Sequence, residues 1–381
     1  MKINLKNPAH IKLLLLSNGV KFNNNDLDEV GEKYAENRYY YNTSNETTNF
    51  KNKLPSEILL PHNIETSLYY NNNSDFELKK RQNTFAIFYK KNLISKATLN
   101  KRPFFFNELI SNNIHCNQAI SMYGRYTLGI FSNAYCFFNQ TNNQCKFCSL
   151  KHTRETTGEN NLFKITAGLV KKALQIAVKT DKKRIKYIMH TCGTHHNENI
   201  CYKEQIKIIN TTKKIVDKNV TQHLTIMPTL NDQLIIGLMN SGLNSLAFDL
   251  EVFDKKLFSK YCPGKEKFFG YENFIDSFLL AKNIFGHSNI KAGFVGGLEP
   301  LESLEKGMHF FGQKGISIAI NVFHPDKNTP LSNKQRPTSE YLFKMVKIQS
   351  RIYKKYNLKP VFPIGGRRSS LDSEVYKNLF D

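Results

Sequence analysis

The chain has 381 residues, of which 40% are hydrophobic and 23% are charged. This balance is typical of globular proteins, and it excludes a collagen-like chain, a disulfide-rich miniprotein and a chain that is disordered throughout. A domain takes about 150 residues, so the length predicts two domains, although one barrel can take about 250. The 54 basic and 32 acidic residues give a net charge of +22, which favours anionic partners such as RNA, nucleotides or acidic proteins.

The basic residues are spread along the chain, so the charge alone does not predict a specific nucleic-acid site. The longest aliphatic run near the start, residues 11–16, is too short to span a bilayer, which takes about 20 apolar residues. Polar Asn18 and Lys21 follow this run without a small-residue cleavage site, which argues against a secretory signal. We therefore expect a cytoplasmic protein with no membrane partner.

The first part of the chain differs from the rest in composition. Asn-rich stretches at 23–25, 42–49 and 71–73 are broken by short apolar pieces such as residues 85–89. This composition predicts loop-rich, partly ordered material without a sharp motif.

From Tyr126 onward, strand-like runs alternate with amphipathic helical patterns. Strands are predicted at 126–132, 185–190, 222–227, 245–251, 290–295 and 316–323. Helices are predicted at 165–180, 204–217, 232–240, 272–284, 301–313 and 338–356. Six β-then-α units imply right-handed crossovers and a parallel sheet. They favour an incomplete barrel over a doubly wound sheet, and either fold places functional residues at the carboxyl ends of the strands.

These patterns divide the chain into three predicted parts. Residues 1–115 form an N-terminal extension, irregular or α+β, whose role is unknown. Residues 116–358 form an α/β partial barrel, and residues 359–381 form a C-terminal tail.

The chain has an odd number of cysteines, namely Cys116, Cys136, Cys145, Cys148, Cys192, Cys201 and Cys262. In a cytosolic chain of this size, this usage predicts metal or redox chemistry before disulfides. Cys136, Cys145 and Cys148 form a C-x8-C-x2-C motif directly after the first strand of the alternating series. Three thiolates leave one iron of a cubane [4Fe–4S] cluster without a protein ligand. An open coordination position is typical of metal sites that perform chemistry.

This motif resembles the signature of the radical S-adenosylmethionine (radical SAM) superfamily, C-x3-C-x2-C with an aromatic residue before the last cysteine. Phe147 occupies the aromatic position, and the first gap is eight residues instead of three. The resemblance covers about residues 124–350. It implies a partial (βα)6 TIM-like barrel, a [4Fe–4S] cluster held by the three cysteines of the motif, and SAM as the second cofactor.

The resemblance also implies SAM contacts at the ends of several strands. Residues 191–194 stand where the family has a Gly-rich turn, and Asp249 and Glu251 are similar to the pair that binds the SAM ribose. Residues 294–299 resemble an Ile-x-Gly-x-x-Glu pattern that shapes the adenine pocket, and residues 320–331 resemble the sixth strand of biotin and lipoyl synthases. The implied cofactor-binding residues are Phe147, Thr191, Gly193, Thr194, Asp249, Glu251, Gly296, Glu299, Asn321 and Phe323.

Within the superfamily, the chain resembles the biotin synthase-like branch, and in particular HmdB-like members with a widened cysteine gap. Ile290 and Met227 stand where biotin synthase has ligands of a sulfur-donating cluster. The second cysteine triplet of lipoyl synthase is also missing, since Cys116 is the first cysteine of the chain. We therefore expect Cys192, Cys201 and Cys262 to be ordinary thiols.

The resemblance implies that a flavodoxin or ferredoxin reduces the cluster, and that SAM is cleaved to a 5′-deoxyadenosyl radical. This radical takes hydrogen from an unidentified substrate, most simply a small molecule. One alternative is a radical SAM enzyme that modifies RNA. Another is a zinc-containing RNA-binding module with His152 as the fourth ligand, although such fingers have a longer second gap and do not precede six βα units. His190, His195 and His196 either shape the substrate pocket or lie solvated in loops.

Overall fold

The structure is a computed structural model that describes residues 3–36, 54–55, 57–82, 84–157, 164–364 and 367–380. The Asn-rich run at 42–49 lies outside these residues. No helix in the described ranges is both long and apolar enough to cross a membrane.

Helices and strands occur in both halves of the chain. The helices are α1 (Pro8–Asn18), α2 (Cys116–Ala119), α3 (Phe137–Gln140), α4 (Leu150–Thr157), α5 (Ala167–Asp181), α6 (Glu198–Lys213), α7 (Asp232–Asn240), α8 (Lys255–Tyr261), α9 (Pro263–Phe268), α10 (Tyr271–Phe285), α11 (Leu301–Gly312), α12 (Ser339–Tyr356) and α13 (Asp372–Tyr376). The strands are β1 (Glu57–Leu60), β2 (Ile64–Ser67), β3 (Phe76–Arg81), β4 (Thr84–Tyr89), β5 (Asn92–Leu99), β6 (Leu109–Ser111), β7 (Ile114–His115), β8 (Ser121–Tyr123), β9 (Thr127–Asn133), β10 (Tyr187–Cys192), β11 (Thr221–Thr225), β12 (Ser245–Glu251), β13 (Ile290–Gly296) and β14 (Ser317–Val322).

The larger sheet has seven strands in the order β14-β13-β12-β11-β10-β9-β8. Strands β9 to β14 pair in parallel in chain order, and β8 is antiparallel to β9 at one edge. Helices follow each parallel strand, and the sheet is curled into a half-barrel. The prediction of a mixed α/β fold with a barrel-like sheet is confirmed.

Local sequence patterns explain most of these elements. Every residue of β13 is buried, as expected for a parallel strand covered on both faces. The predicted bounds of α7 and β12 agree with the structure. Helix α6 begins at Glu198, six residues before the predicted start at 204, because the side chain of Asn197 accepts a hydrogen bond from the Ile200 N–H and caps the helix.

The N-terminal part is more ordered than its composition predicts. Strands β1 to β5 form an antiparallel sheet in the order β2-β1-β5-β4-β3, so the described residues have the α+β form of the prediction and not the irregular one. The Asn-rich residues 71–73 lie in the connection between β2 and β3. Helix α1 contains the aliphatic run, and its residues from Ala9 to Leu16 are buried.

The C-terminal tail joins this sheet to the half-barrel. Asn321 on β14 pairs with Ser370 in an antiparallel bridge, and the N–H of Val322 donates to the Ser369 carbonyl at 2.8 Å. The N–H of Ser67 on β2 donates to the Arg368 carbonyl at 3.1 Å. The tail therefore hydrogen-bonds the edge strands of both sheets.

The same N-terminal sheet also contacts the opposite edge of the half-barrel. The carboxylate of Glu57 on β1 accepts a hydrogen bond from the N–H of Gly124, in the turn between β8 and β9, at 3.1 Å. The carboxylate of Glu65 on β2 accepts from the Arg125 N–H at 2.8 Å. The N-terminal sheet and the tail thus extend from the β14 edge to the β8–β9 turn.

Helix α1 is fixed to the tail by a buried ion pair, which gives a stability test. Lys12 and Glu374 lie 3.0 Å apart, and their side chains are only 1% and 6% exposed. We expect Lys12→Met to lower the free energy of unfolding by about 3–5 kcal/mol, because Glu374 keeps a buried charge without its partner. Urea denaturation followed by circular dichroism measures the loss.

The matched control is Lys344→Met, which breaks the exposed pair of Lys344 with Glu340 and is expected to cost less than about 1 kcal/mol. Equal losses in the two variants would contradict a stabilising role for the buried pair.

Candidate active site

The three cysteines of the motif lie in one loop, residues 134–149, which we call the cysteine loop. It leaves the carboxyl end of β9, as predicted. Cys136 immediately precedes α3, and Cys148 lies two residues before α4. Cys136, Cys145 and Cys148 are partly buried, and none of them forms a disulfide.

The charges of the other two motif cysteines act on the thiol of Cys148. Burial raises the pKa of Cys148, and the negative charges that Cys145 and Cys136 carry when ionised raise it further. The backbone N–H of Cys148 donates to the Cys145 carbonyl at 3.0 Å. Burial and mutual repulsion both disfavour three thiolates at this place. A nearby positive charge is therefore needed to stabilise them.

Two residues that the sequence analysis did not assign to the site lie beside Cys145. A hydrogen bond from the thiol of Cys262 lowers the pKa of Cys145 to about 7, and the positive charge of Lys265 lowers it too, against the effect of burial. The thiolate is the form that binds metals. Cys262-Pro-Gly-Lys265 follows the acidic end of β12 by eleven residues, but no periodicity in the sequence indicates that it folds back.

Lys265 also contacts the end of β12. Its Nζ lies 2.6 Å from Oε1 of Glu251 and 2.5 Å from the carbonyl oxygen of Asp249. Burial alone would lower the pKa of Lys265, but Glu251 and the neighbouring thiols raise it above its ordinary value. Burial raises the pKa of the Asp249 carboxyl. Glu251 has a positive φ of 75°, a strained conformation for a residue with a side chain.

The turn after β10 packs against the cysteine loop. The carbonyl of Thr194 accepts a hydrogen bond from the Phe137 N–H at 2.8 Å, and the Gly193 N–H donates to the Asn133 carbonyl at 2.8 Å. A Cβ at Gly193 would lie 2.0 Å from the Tyr135 carbonyl oxygen, so this close approach requires glycine. Thr191, at the end of β10, pairs with Phe131 of β9.

Three other predicted SAM contacts, Glu299, Phe323 and Gly296, differ in burial and in their hydrogen bonds. The carboxylate of Glu299 accepts hydrogen bonds from the backbone N–H groups of Phe253 and Asp254 and from the Ser303 hydroxyl, so it anchors the loop after β12. Phe323 is 1% exposed and packs in the hydrophobic core. Gly296 accepts the N–H of Phe323 at 2.9 Å.

Two further predicted contacts differ in exposure. Asn321 is exposed at the edge strand β14, and Phe147 is partly buried against the core. The SAM-binding roles of these residues remain predictions.

The histidines that the sequence analysis considered differ in their burial and in their contacts. His190 is fully buried and hydrogen-bonds Gln222 at 2.9 Å, so it is not a solvated loop residue, and burial lowers its pKa to about 4. His195 and His196 stack with their ring centroids 4.4 Å apart in the turn after β10. The ring of His152 lies within hydrogen-bond distance of the Asn328 amide.

The donor chemistry of the cysteine loop fits an iron–sulfur cluster. The loop offers three sulfur donors, one with a lowered pKa, beside a buried ammonium group. Within the described part of the chain, no group of three or more His, Cys, Asp or Glu side chains is arranged to hold a single metal ion.

Comparison with known proteins gives distant similarity. No protein-family model matches the chain. The chain is 29% identical over 117 residues to bacteriochlorophyllide c C-7(1)-hydroxylase of Chlorobaculum limnaeum. The match covers 30% of this chain and 29% of the hydroxylase, so the chain spans under a third of this relative's length.

Several crystal structures are also similar. Methylornithine synthase (PylB) is 16% identical with a TM-score of 0.45, covering 61% of this chain and 65% of that one. The [FeFe]-hydrogenase maturase HydG from Carboxydothermus hydrogenoformans is 17% identical with a TM-score of 0.47, covering 64% and 55%. Coproporphyrinogen III oxidase (HemN) from Escherichia coli, described as a radical SAM enzyme, is 13% identical with a TM-score of 0.39, covering 61% and 52%.

The close approach at Gly193 gives a prediction for the site. We expect Gly193→Ala to lower the free energy of unfolding by about 1–3 kcal/mol, because the added methyl group displaces the backbone at Tyr135. Gly168→Ala is the control, since its Cβ would meet only ordinary contacts on α5 and alanine favours the helix. Thermal or urea unfolding of both variants checks this, and an unchanged Gly193→Ala protein would contradict the described packing.

Proposed function

We propose that this protein is a radical SAM enzyme in which Cys136, Cys145 and Cys148 hold a [4Fe–4S] cluster. The observation that carries the proposal is the position of the three thiols. They lie in one loop at the carboxyl end of a parallel sheet, where such folds bind their ligands. A C-x8-C-x2-C motif with three ligands leaves one iron open for a cofactor.

A cluster held by Cys136, Cys145 and Cys148 would supply the one-electron reduction that cleaves SAM. The protein's own residues hold and neutralise the charged groups. Lys265 offsets the negative charge of the thiolates, since its ammonium group is buried among Cys145, Cys262 and Glu251. The carboxylate of Glu251 is an acceptor for ribose hydroxyls, and Gly193 lets the turn after β10 approach the cysteine loop.

The finer assignment is a biotin synthase-like, HmdB-like enzyme on a (βα)6 partial barrel. The six consecutive parallel strands support the barrel type. Ile290 is fully buried in the hydrophobic core and Met227 is packed against it, and neither can ligate iron as a thiolate. We therefore propose that the enzyme lacks a sulfur-donating second cluster.

The substrate is proposed to be a small molecule. The N-terminal sheet and the C-terminal tail hydrogen-bond both edges of the half-barrel, which restricts approach from the side of the sheet. The relative from Chlorobaculum limnaeum is a hydroxylase, an activity that acts at a carbon–hydrogen bond. This similarity supports hydrogen abstraction from carbon as the reaction class, with flavodoxin or ferredoxin as the electron donor in the cytoplasm.

Single-cysteine variants test the proposal. We expect protein reconstituted anaerobically with iron and sulfide to bind about four iron and four sulfide ions. Cys136→Ala, Cys145→Ala and Cys148→Ala should each lose most of the iron and the visible absorption, since each removes one of three ligands. Wild-type protein with dithionite and SAM should form 5′-deoxyadenosine, which chromatography detects.

Cys116→Ala is the control, because Cys116 is buried in a separate hydrophobic cluster, and it should keep its iron and its activity. Stoichiometric zinc without iron-dependent absorption would contradict the proposal and favour the zinc module.

A further inference from the structure

The connection from β12 to α10 carries an excess of positive charge. Residues 255–268 contain five lysines and one glutamate. Lys265 is buried in the site, and Lys255 pairs with a neighbouring glutamate. The other three lysines, Lys256, Lys260 and Lys267, are exposed and form no salt bridge with any carboxylate among the residues that the structure describes. The ammonium groups of Lys260 and Lys267 lie over the rings of the neighbouring Tyr261 and Phe268, 5.6 and 5.4 Å from the ring centroids.

This connection is attached directly to the cysteine loop. The Lys146 N–H donates to the Tyr261 carbonyl at 2.9 Å, and the Gly264 N–H donates to the Asn143 carbonyl at 2.9 Å. Helices α8 and α9 therefore lie against the loop that contains the proposed iron ligands.

An exposed aromatic ring lies at the end of the same connection. Phe268 is 45% exposed, and its ring centroid lies 5.0 Å from that of Phe137 and 5.9 Å from that of Phe138. Phe137 and Phe138 directly follow Cys136 in the chain. Exposed aromatic side chains are common anchors of protein interfaces. This ring thus connects the protein surface to the residues next to a proposed ligand.

We propose that Lys256, Lys260, Lys267 and Phe268, which we call the donor surface, bind an acidic one-electron carrier protein. Lys256 and Lys260 are four residues apart on α8, so they project from the same side of that helix. A cluster of unpaired positive charges accelerates association with an acidic partner and orients it. The proposal rests on the proposed function, because only a redox cluster requires such a donor.

A second basic groove does not suit this role. It is lined by Lys101, Arg125, Lys183 and Arg184, next to the residues that precede β9 and β10. The cysteine loop leaves the opposite, carboxyl end of β9. Electron transfer weakens steeply with distance, so the donor surface is better placed to deliver an electron to the cysteines.

Charge reversal tests the donor surface in the full-length protein. We expect Lys256→Glu, Lys260→Glu and Lys267→Glu together to weaken binding of flavodoxin at least about tenfold at low salt. Isothermal titration calorimetry measures this for protein with and without iron, so the result does not depend on activity. Reduction by flavodoxin should slow accordingly, whereas 5′-deoxyadenosine formation with dithionite should stay unchanged, since dithionite needs no docking surface.

The control reverses three exposed lysines on α5, Lys171, Lys172 and Lys179, and should change flavodoxin binding less than about twofold. Equal weakening by both triple variants would mean a non-specific charge effect and would overturn the proposal, as would unchanged binding by the donor-surface variant. If wild-type protein forms no 5′-deoxyadenosine with dithionite, the proposed function is wrong, and the proposal of a donor surface is then wrong as well. Normal dithionite turnover with unchanged flavodoxin binding overturns the donor surface alone.

Discussion

The ammonium group of Lys265 is buried between the carboxylate of Glu251 and the thiols of Cys145 and Cys262, and the rest of the site depends on that charge. Several acidic groups converge there at the end of the parallel sheet, and burying them without a counter-charge would be costly. The lysine neutralises part of that negative charge and holds α9 against the end of β12. One side chain therefore stabilises the loop connections and offsets the negative charge of the groups around it.

The site also depends on two close backbone approaches. The turn after β10 lies against the cysteine loop at Gly193, where no side chain fits. The connection through α8 and α9 is hydrogen-bonded to Asn143 and Lys146 of the same loop. The cysteine loop is thus held between two neighbouring segments, although α3, its own helix, has only four residues. Such support is needed because a loop that presents several ligands must be ordered by its surroundings.

Much of the half-barrel was predictable, because its strands and helices have clear apolar periodicity. The bounds of α7 and β12 are correct, and the cysteine loop lies at the predicted end of β9. The N-terminal sheet was not predictable, since its short strands alternate with Asn-rich connections that suggest loops. The contacts of Lys265 could not be predicted from the sequence either, because they come from tertiary packing between β12 and α9. The motif position of Glu299 implies a SAM contact. It gives no sign that the carboxylate accepts hydrogen bonds from backbone N–H groups of the loop after β12.

The N-terminal sheet and the C-terminal tail contact both edges of the half-barrel. Arg368 of the tail pairs with Glu57 of β1 at 2.8 Å, and the same carboxylate accepts the Gly124 N–H near β8. Residues far apart in the chain thus connect the two edges of the curled sheet.

The central claim is that the three cysteines hold a cluster whose open iron binds SAM. Electron paramagnetic resonance of the reconstituted, dithionite-reduced protein, recorded with and without SAM, tests it most directly. We expect the signal of one reduced [4Fe–4S] cluster and a clear change in its g-values when SAM is added. A cluster signal that is identical with and without SAM would contradict the claim, as would protein that shows no cluster signal after reconstitution.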